Sequence, residues 1–169
     1  MKHIFIINPT AGKYDSRQRI YEMADHLRSA HGLDVQCILT KKQGHATEIA
    51  QKLCQTGEPL RFYACGGDGT LNEVASGAAG FPNLAITAYS GGSGNDFVRL
   101  FSEPAAFSDL ERLLDAKEVT FDMIRCNDDY ALNICSVGLD ARIGTDVASY
   151  KRLPLLQGFW AYAASAVVN

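Results

Sequence analysis

The chain alternates between two hydrophobic patterns, short apolar runs and longer segments with helical spacing. The apolar runs have the length of strands and occupy residues 4–7, 33–40, 60–67 and 84–90. The segments in which apolar residues recur at helical spacing lie between them, at 15–32, 44–57 and 70–80. Continuous apolar runs are typical of strands buried on both faces, and the intervening segments predict amphipathic helices. The alternation therefore predicts an α/β fold, a parallel sheet with helices on its faces.

Glycine-containing loops follow three of these predicted strands. Their sequences are NPTAGK at 8–13, GGDGT at 66–70 and GGSGND at 91–96. Because parallel strands end at the same edge of a sheet, the loops should meet there, where α/β proteins bind ligands. Glycine permits positive φ and close backbone approach, and a helix N-terminus presents unpaired N–H groups, so the loops predict an anion site. The last loop is predicted to lead into another helix.

The pattern changes after residue 117. Two β-like runs flank the turn-like sequence CNDDY at 126–130, which predicts a hairpin. Residues 155–169 then form an apolar helical run with little sign of a polar face. We expect one complete α/β domain over 1–116 and the incomplete beginning of a β-rich second domain over 117–169.

Composition narrows the class of protein. The formal net charge is −3, so no overall basic field would recruit nucleic acid, and no nucleic-acid partner is expected. The five cysteines are scattered without a CxxC spacing or a Cys/His cluster typical of zinc sites. They predict buried, reduced thiols in a cytosolic protein. The N-terminal apolar run is too short for a signal sequence, and no run of about 18 apolar residues predicts a membrane span.

Neither common nucleotide-binding motif is present. Asn72 stands where the dinucleotide fingerprint needs its third glycine, and Tyr14 stands where a P-loop needs Ser or Thr. A single glycine loop could also be an ordinary tight turn in which Asp68 caps the following helix.

Four motifs together carry a family resemblance. They are NPTAG at 8–12, TKKQGHATEIA at 40–50, GGDGTLNEV at 66–74 and GSGNDFVR at 92–99. In order and spacing, over residues 3 to about 145, the chain resembles the diacylglycerol kinase catalytic family, especially the bacterial soluble lipid kinases. Sphingosine and ceramide kinases are relatives of that family. The chain departs from the family pattern at Ser90, where proline is usual, and at Ser93, where threonine is commoner.

The resemblance implies both a fold and an activity. The fold would be a three-layer, Rossmann-like nucleotide-binding domain, as in phosphofructokinases and NAD kinases, followed by the start of a β-sandwich lipid-binding domain. The activity would be transfer of the ATP γ-phosphoryl group to a lipid hydroxyl, with diacylglycerol as the expected acceptor, phosphatidic acid as the product and Mg²⁺ as cofactor. Such an enzyme would work in the cytoplasm, peripherally at the inner membrane surface. Family members are roughly twice as long and carry their general base in the second domain, so the fragment alone is expected to be inactive.

The resemblance also implies site residues. Asp68 would be the catalytic and metal-organising residue, acting on Mg²⁺ through water, because a carboxylate repels phosphate directly. The nucleotide would be bound by Asn8, Thr40, Gly66, Gly67, Gly69, Thr70, Asn72, Glu73, Ser93, Gly94 and Asn95. For Glu73, a contact to ribose, support of the second loop and ordinary first-turn charge complementarity all remain open.

Two alternatives to a lipid kinase remain. An NAD kinase would explain GGDGT but not NPTAGK or GSGND. A non-catalytic nucleotide-binding module would explain the absence of an identifiable general base. The identity of the acceptor lipid and the oligomeric state stay open, with a homo-oligomer among the options.

Overall fold

The structure is a computed structural model that describes residues 1–12, 15–90, 95–138 and 141–142. Residues Met1–Asn133 form one compact unit, and Ile134–Asn169 form a second. The predicted helix at 155–169 and the candidate residues Ser93 and Gly94 lie outside the described residues.

Strands and helices alternate along the first unit as the hydrophobic pattern predicts. The strands are β1 (Lys2–Ile7), β2 (Val35–Leu39), β3 (Leu60–Gly66), β4 (Leu84–Ser90), β5 (Ile124–Cys126) and β6 (Asp129–Ala131). The α-helices are α1 (Arg17–His31), α2 (His45–Cys54), α3 (Asp68–Ala78) and α4 (Leu110–Leu114). None of the helices in this described part of the chain is long and apolar enough to cross a bilayer.

The four long strands form a parallel sheet in the order β2-β1-β3-β4. Strand β1 pairs with β2 on one side and with β3 on the other, so that Ile4 lies opposite both Gln36 and Phe62. The central strand β1 is fully buried from Ile4 to Ile7. This burial on both faces explains why the strand reads as a continuous apolar run, and the parallel α/β prediction is confirmed.

Alternate side chains of the sheet feed two separate core layers. One layer joins Ile4, Ile6 and Phe62 to the apolar faces of α2 and α3. The other joins Phe5, Ile7, Tyr63 and Cys65 to α1 and α4. Helices therefore cover both faces, which gives the expected three layers.

Local signals also place the end of α1 correctly. Gly32 adopts a left-handed conformation (φ 62°), and its N–H donates to the carbonyl of Leu27. Residues with a Cβ rarely adopt this conformation, so the glycine ends the helix as the sequence predicts.

The prediction of a helix after the third glycine loop is wrong. Residues Val98–Leu100 form only a 3-10 turn, after which Phe101 is extended (φ −98°, ψ 152°). Pro104 follows three residues later, and a proline disfavours helical geometry in the residue before it. The rings of Phe97 and Phe101 also pack edge to face, with centroids 5.4 Å apart, which holds the turn compact.

The predicted hairpin is present. Strands β5 and β6 pair antiparallel, and Cys126 lies opposite Asp129. Asn127, in the connecting turn, has a positive φ of 56°, a conformation that asparagine tolerates.

The expectation of buried thiols holds only for part of the set. None of the five cysteines forms a disulfide within the described part of the chain, but Cys126 and Cys135 are exposed while Cys54 and Cys65 are buried. Cys126 ends β5, a strand whose three residues are all exposed, so the apolar pattern there does not mark a buried strand.

Candidate functional site

The loops after β1, β2 and β3 emerge at one edge of the parallel sheet. The N–H of Asn8 donates to the carbonyl of Cys65 (2.9 Å), and the N–H of Thr40 donates to the carbonyl of Ile7 (2.8 Å). These bonds continue the hydrogen bonding of the parallel sheet for one residue past the strands and place Asn8 and Thr40 at the carboxyl edge of the sheet. Of the three glycine loops predicted to converge, the two after β1 and β3 therefore lie at the same edge, while residues 91–94 of the third lie outside the described residues.

Asn8 ties its own loop to the start of α3. Its Oδ1 accepts hydrogen bonds from the backbone N–H (3.1 Å) and the hydroxyl (2.9 Å) of Thr10. Its Nδ2 donates to Oγ1 of Thr70 (3.1 Å), which is buried. Thr10 was not among the predicted site residues. Asparagine bonded to the N–H two positions later is a known turn signal, and Asn-Pro-Thr carries it.

The three glycines of the GGDGT loop are not all required for the same physical reason. A Cβ on Gly66 would lie 2.3 Å from Oγ1 of Thr70, so this position must be bare for Thr70 to pack. Gly67 has φ −94° and ψ −170°, an extended conformation open to any residue, so positive φ does not explain it. A Cβ on Gly69 would meet no described residue within 4 Å. Gly69 therefore exposes bare backbone to open space in the first turn of α3.

Helix α3 begins at the sheet edge with Gly67 as its N-cap and no side-chain cap hydrogen bond among the described residues. The N–H of Leu71 donates to the carbonyl of Gly67 (3.1 Å) as the helix starts. Amide groups of a first turn have no partner within their helix and carry the positive end of the helix dipole. The start of α3 thus has the chemistry of an anion site.

Asp68 is the first helical residue, so the alternative in which it caps α3 is wrong. Its Oδ1 instead accepts the backbone N–H of Phe97 (3.3 Å), which joins the GGDGT loop to the segment after β4. A carboxylate held in this way suits Mg²⁺, which prefers oxygen ligands and retains several waters.

A small depression lies between these elements. Its lining includes Gly66, Gly67, Asp68, Ser90 and Asn95. The hydroxyl of Ser90 is buried there and has no hydrogen-bond partner within the described part of the chain. A larger cleft of about 520 Å³ lies elsewhere, beside α1 and α4. The smaller depression, of about 10 Å³, has room for no more than about one water molecule, but it marks the place where the GGDGT loop and the start of α3 meet the segment after β4.

Two predicted site residues point to neighbouring elements. Asn72 accepts the N–H of Leu132 through Oδ1 (2.8 Å) and donates to the carbonyl of Tyr130 through Nδ2 (3.1 Å). These bonds hold the hairpin β5–β6 against α3.

Glu73 holds the start of α2. Its Oε1 accepts the N–H of Gly44 (2.9 Å), and its Oε2 accepts the N–H of Ala46 (3.2 Å). The hydroxyl of Thr47 donates to the carbonyl of Glu73 (3.0 Å). The loop that these contacts support is the one before α2, and support of this loop was not among the three options that the sequence left open for Glu73.

Comparisons with known proteins agree with this geometry. The sequence-family model of the diacylglycerol kinase catalytic domain matches residues 2–126. A diacylglycerol kinase of Staphylococcus saprophyticus is 31% identical over 160 residues, covering 93% of this chain and 51% of the relative. One of Staphylococcus haemolyticus is 30% identical over 161 residues, covering 93% of this chain and 47% of the relative.

A solved structure is similar as well. The crystal structure of a diacylglycerol kinase from Bacillus anthracis superposes with a TM-score of 0.60 at 27% identity, over 76% of this chain and 47% of that one. The chain spans about half the length of the curated relatives it matches. The chain belongs to the diacylglycerol kinase catalytic domain family.

Proposed function

We propose that this chain is the ATP-binding half of a lipid kinase that transfers the γ-phosphoryl group of ATP to diacylglycerol. The observation that carries the proposal is the start of α3, which among the described residues has no side-chain cap and exposes the backbone of Gly69. Asn8 from the loop after β1 and Phe97 from the segment after β4 contact this helix start. Family membership supports phosphoryl transfer, and the names of the relatives support diacylglycerol as acceptor.

The first-turn amides of α3 would bind the phosphates of ATP. A phosphoryl transfer with a loose transition state asks the protein mainly for positioning and charge stabilisation. Gly67 and Gly69 let phosphate oxygens approach the backbone. The hydrogen bond from Asn8 to Thr70 holds the turn rigid, and the missing Cβ of Gly66 makes room for that bond.

Asp68 would organise Mg²⁺ through bound water. When bound, the ion would neutralise charge on the phosphates and align them for transfer. The chain's own contribution is to hold the carboxylate between two loops through the N–H of Phe97. Motion of either loop would therefore move the carboxylate.

The remaining site residues would bind or position the nucleotide. Thr40, Ser93, Gly94 and Asn95 would contact ribose or phosphate from the loops after β2 and β4. Asn72 and Glu73 would act indirectly, because their side-chain contacts fasten the hairpin and α2 to α3. The lipid would be presented at the inner membrane surface, with the general base supplied by a second domain that begins after residue 116.

Titration calorimetry of the 169-residue chain with ATP, with and without Mg²⁺, tests the proposal. We expect ATP to bind, and Mg²⁺ to tighten the binding. NAD serves as the competing ligand, and mixed micelles of diacylglycerol with labelled ATP serve as the acceptor assay. A folded chain that binds no ATP would refute the proposal, and phosphorylation of NAD would favour the NAD kinase alternative. ATP binding together with failure to support transfer to any lipid in a full-length protein would favour a non-catalytic nucleotide-binding module.

A further inference from the structure

Two histidines of α1 and a glutamate of α4 converge away from the candidate nucleotide site. Nε2 of His26 lies 3.0 Å from Oε1 of Glu111, and Nε2 of His31 lies 3.3 Å from Oε2 of the same side chain. The two imidazole rings contact each other edge to face, with centroids 5.9 Å apart. One ligand-type atom from each residue lies within 4.8 Å of the other two.

This donor set suits a borderline divalent metal ion. Imidazole nitrogen and carboxylate oxygen are ligands that Zn²⁺ and its neighbours in the first transition row accept. Ligand atoms about 2.0–2.1 Å from a tetrahedral ion are separated from each other by about 3.3 Å. The nitrogen–oxygen distances of 3.0 and 3.3 Å are close to that separation, so small side-chain shifts would close the site.

We propose that His26, His31 and Glu111 form a Zn²⁺-type metal site that joins α1 to α4. The three side chains are 60%, 41% and 54% exposed, which leaves room for water in the remaining coordination positions. His26 and Glu111 line the cleft of about 520 Å³, together with Glu22, Asp109 and Arg19. The cleft carries more negative than positive side chains, which favours a cation.

A metal ion at this site would link the short helix α4 to α1. Helix α4 spans only Leu110–Leu114 and is anchored from below by Leu110 and Leu113 in the second core layer. A bound ion would add a link on its outer side and would stabilise the folded chain in proportion to metal concentration.

Cobalt titration followed by absorption tests the proposal in the 169-residue chain. Thiolates are also ligands for such metals, and Cys126 and Cys135 are exposed, so the titration uses a background with Cys126→Ser and Cys135→Ser. We expect one Co²⁺ per chain, with the spectrum of nitrogen and oxygen ligands. His31→Gln and Glu111→Gln should each weaken binding at least about tenfold, because even outer-shell partners of a metal ligand are worth that much. His45→Gln, at the start of α2, is the matched control and should bind as the background does.

A second measurement needs no substitution. Zn²⁺ should slow chemical modification of the imidazoles of His26 and His31 by diethyl pyrocarbonate, read by peptide mass spectrometry, and should leave His45 unchanged. The proposal is overturned if the Cys-to-Ser background binds metal no tighter than about 1 mM, the range of weak nonspecific contacts. It is equally overturned if Zn²⁺ leaves His26 and His31 as reactive as before, or if His31→Gln and Glu111→Gln bind as tightly as the background.

Discussion

At the residue scale, glycine positions separate structural from functional demands. Gly77 lies where α3 crosses α2, and a Cβ there would lie 2.4 Å from the carbonyl oxygen of Thr47 and 3.0 Å from Cβ of Ala50. Gly69 lies in the same helix, and a Cβ there would meet nothing within 4 Å in the described parts of the chain. One helix therefore contains a glycine that packing requires and a glycine that packing against the described residues does not explain.

The pair Gly77→Ala and Gly69→Ala should behave in opposite ways. Gly77→Ala should lower the free energy of unfolding by about 1–3 kcal/mol, because α2 must move to admit the methyl group. Gly69→Ala should keep or raise it by up to about 1 kcal/mol, since alanine is the better helix former. Urea unfolding measures both effects. Gly69→Ala should still bind ATP more weakly, and unchanged ATP affinity would argue against phosphate binding at the start of α3.

Asp68→Asn tests the metal role without removing the contact to Phe97. Asparagine keeps an oxygen that can accept the N–H of Phe97 but loses the negative charge. We expect the fold to persist and the gain in ATP affinity on adding Mg²⁺ to fall about tenfold or more, as for loss of a metal-organising carboxylate. In a full-length protein, lipid kinase turnover should fall below about a tenth of the unsubstituted value. Calorimetry that shows the same Mg²⁺ effect in both proteins would rule out this role for Asp68.

At the element scale, the start of α2 depends on a side chain from α3. Gly44 is its N-cap with φ 80°, and the two amides Gly44 and Ala46 are satisfied by Glu73. Helix α2 contributes Ala46, Ala50 and Cys54 to the first core layer. The cap therefore couples two helices that pack on the same face of the sheet.

Glu73→Ala should destabilise the chain by about 0.5–2 kcal/mol, the usual cost of losing an N-terminal cap. Glu73→Gln retains one oxygen acceptor and should cost less. Urea unfolding gives the two free energies, and hydrogen exchange should show faster exchange of the Gly44 and Ala46 amides in Glu73→Ala. If Glu73→Ala alters ATP affinity while exchange at α2 stays the same, the side chain contacts the nucleotide instead.

The hairpin β5–β6 tests where the first domain ends. The sequence predicts a boundary after residue 116, whereas the compact unit runs from Met1 to Asn133. Asn72 holds Tyr130 and Leu132, and Arg61 donates to Glu118 (2.5 Å) beyond that predicted boundary. We expect a chain of residues 1–133 to unfold with a free energy about 1–3 kcal/mol above that of residues 1–116, because these hydrogen bonds would be lost. Equal unfolding free energies for the two chains would support the boundary after residue 116.

At the scale of the whole molecule, a buried histidine links stability to pH. His3 lies in β1 with a 6% exposed side chain, and its Nδ1 lies 2.9 Å from the hydroxyl of Tyr63. Burial lowers the pKa of His3 below 6.5, and the charges of Arg61 and the N-terminus lower it further, while Asp34 opposes them. Burial raises the pKa of Tyr63 to about 12, so the phenol stays neutral near pH 7.

The lowered pKa of His3 sets the sign of the pH dependence. As pH falls, His3 of the unfolded chain takes up a proton near pH 6.5, whereas His3 of the folded chain takes it up only at a lower pH. The contribution of His3 is therefore complete above that pH and is lost as pH falls from 6.5 towards the folded pKa. Urea unfolding between about pH 7.5 and about pH 5.5 should show this loss, and it should be smaller in His3→Gln. Parallel pH profiles for the two proteins would contradict the prediction.

The order of strands and helices from β1 to β4 was determined by the sequence alone. The continuous apolar runs of β1 and β3 are typical of strands buried on both faces, and Gly32 ended α1 by its left-handed conformation. These signals are local, so a single sequence contains them. The edge at which the glycine loops after β1 and β3 lie followed directly from parallel strands.

Only the tertiary structure decided which side chains of the GGDGTLNEV motif contact the candidate site and which contact neighbouring elements. Asn72 and Glu73 stand in the same motif as Asp68, yet their partners lie in the hairpin and at the start of α2. The short turn after Asn95, the joining of Asp68 to Phe97 and the meeting of His26 with Glu111 also depend on contacts between distant segments. Hydrophobic spacing reports which face of an element is buried, but it does not identify the atoms that the other face meets. Those partners are set by the packing of helices on the sheet.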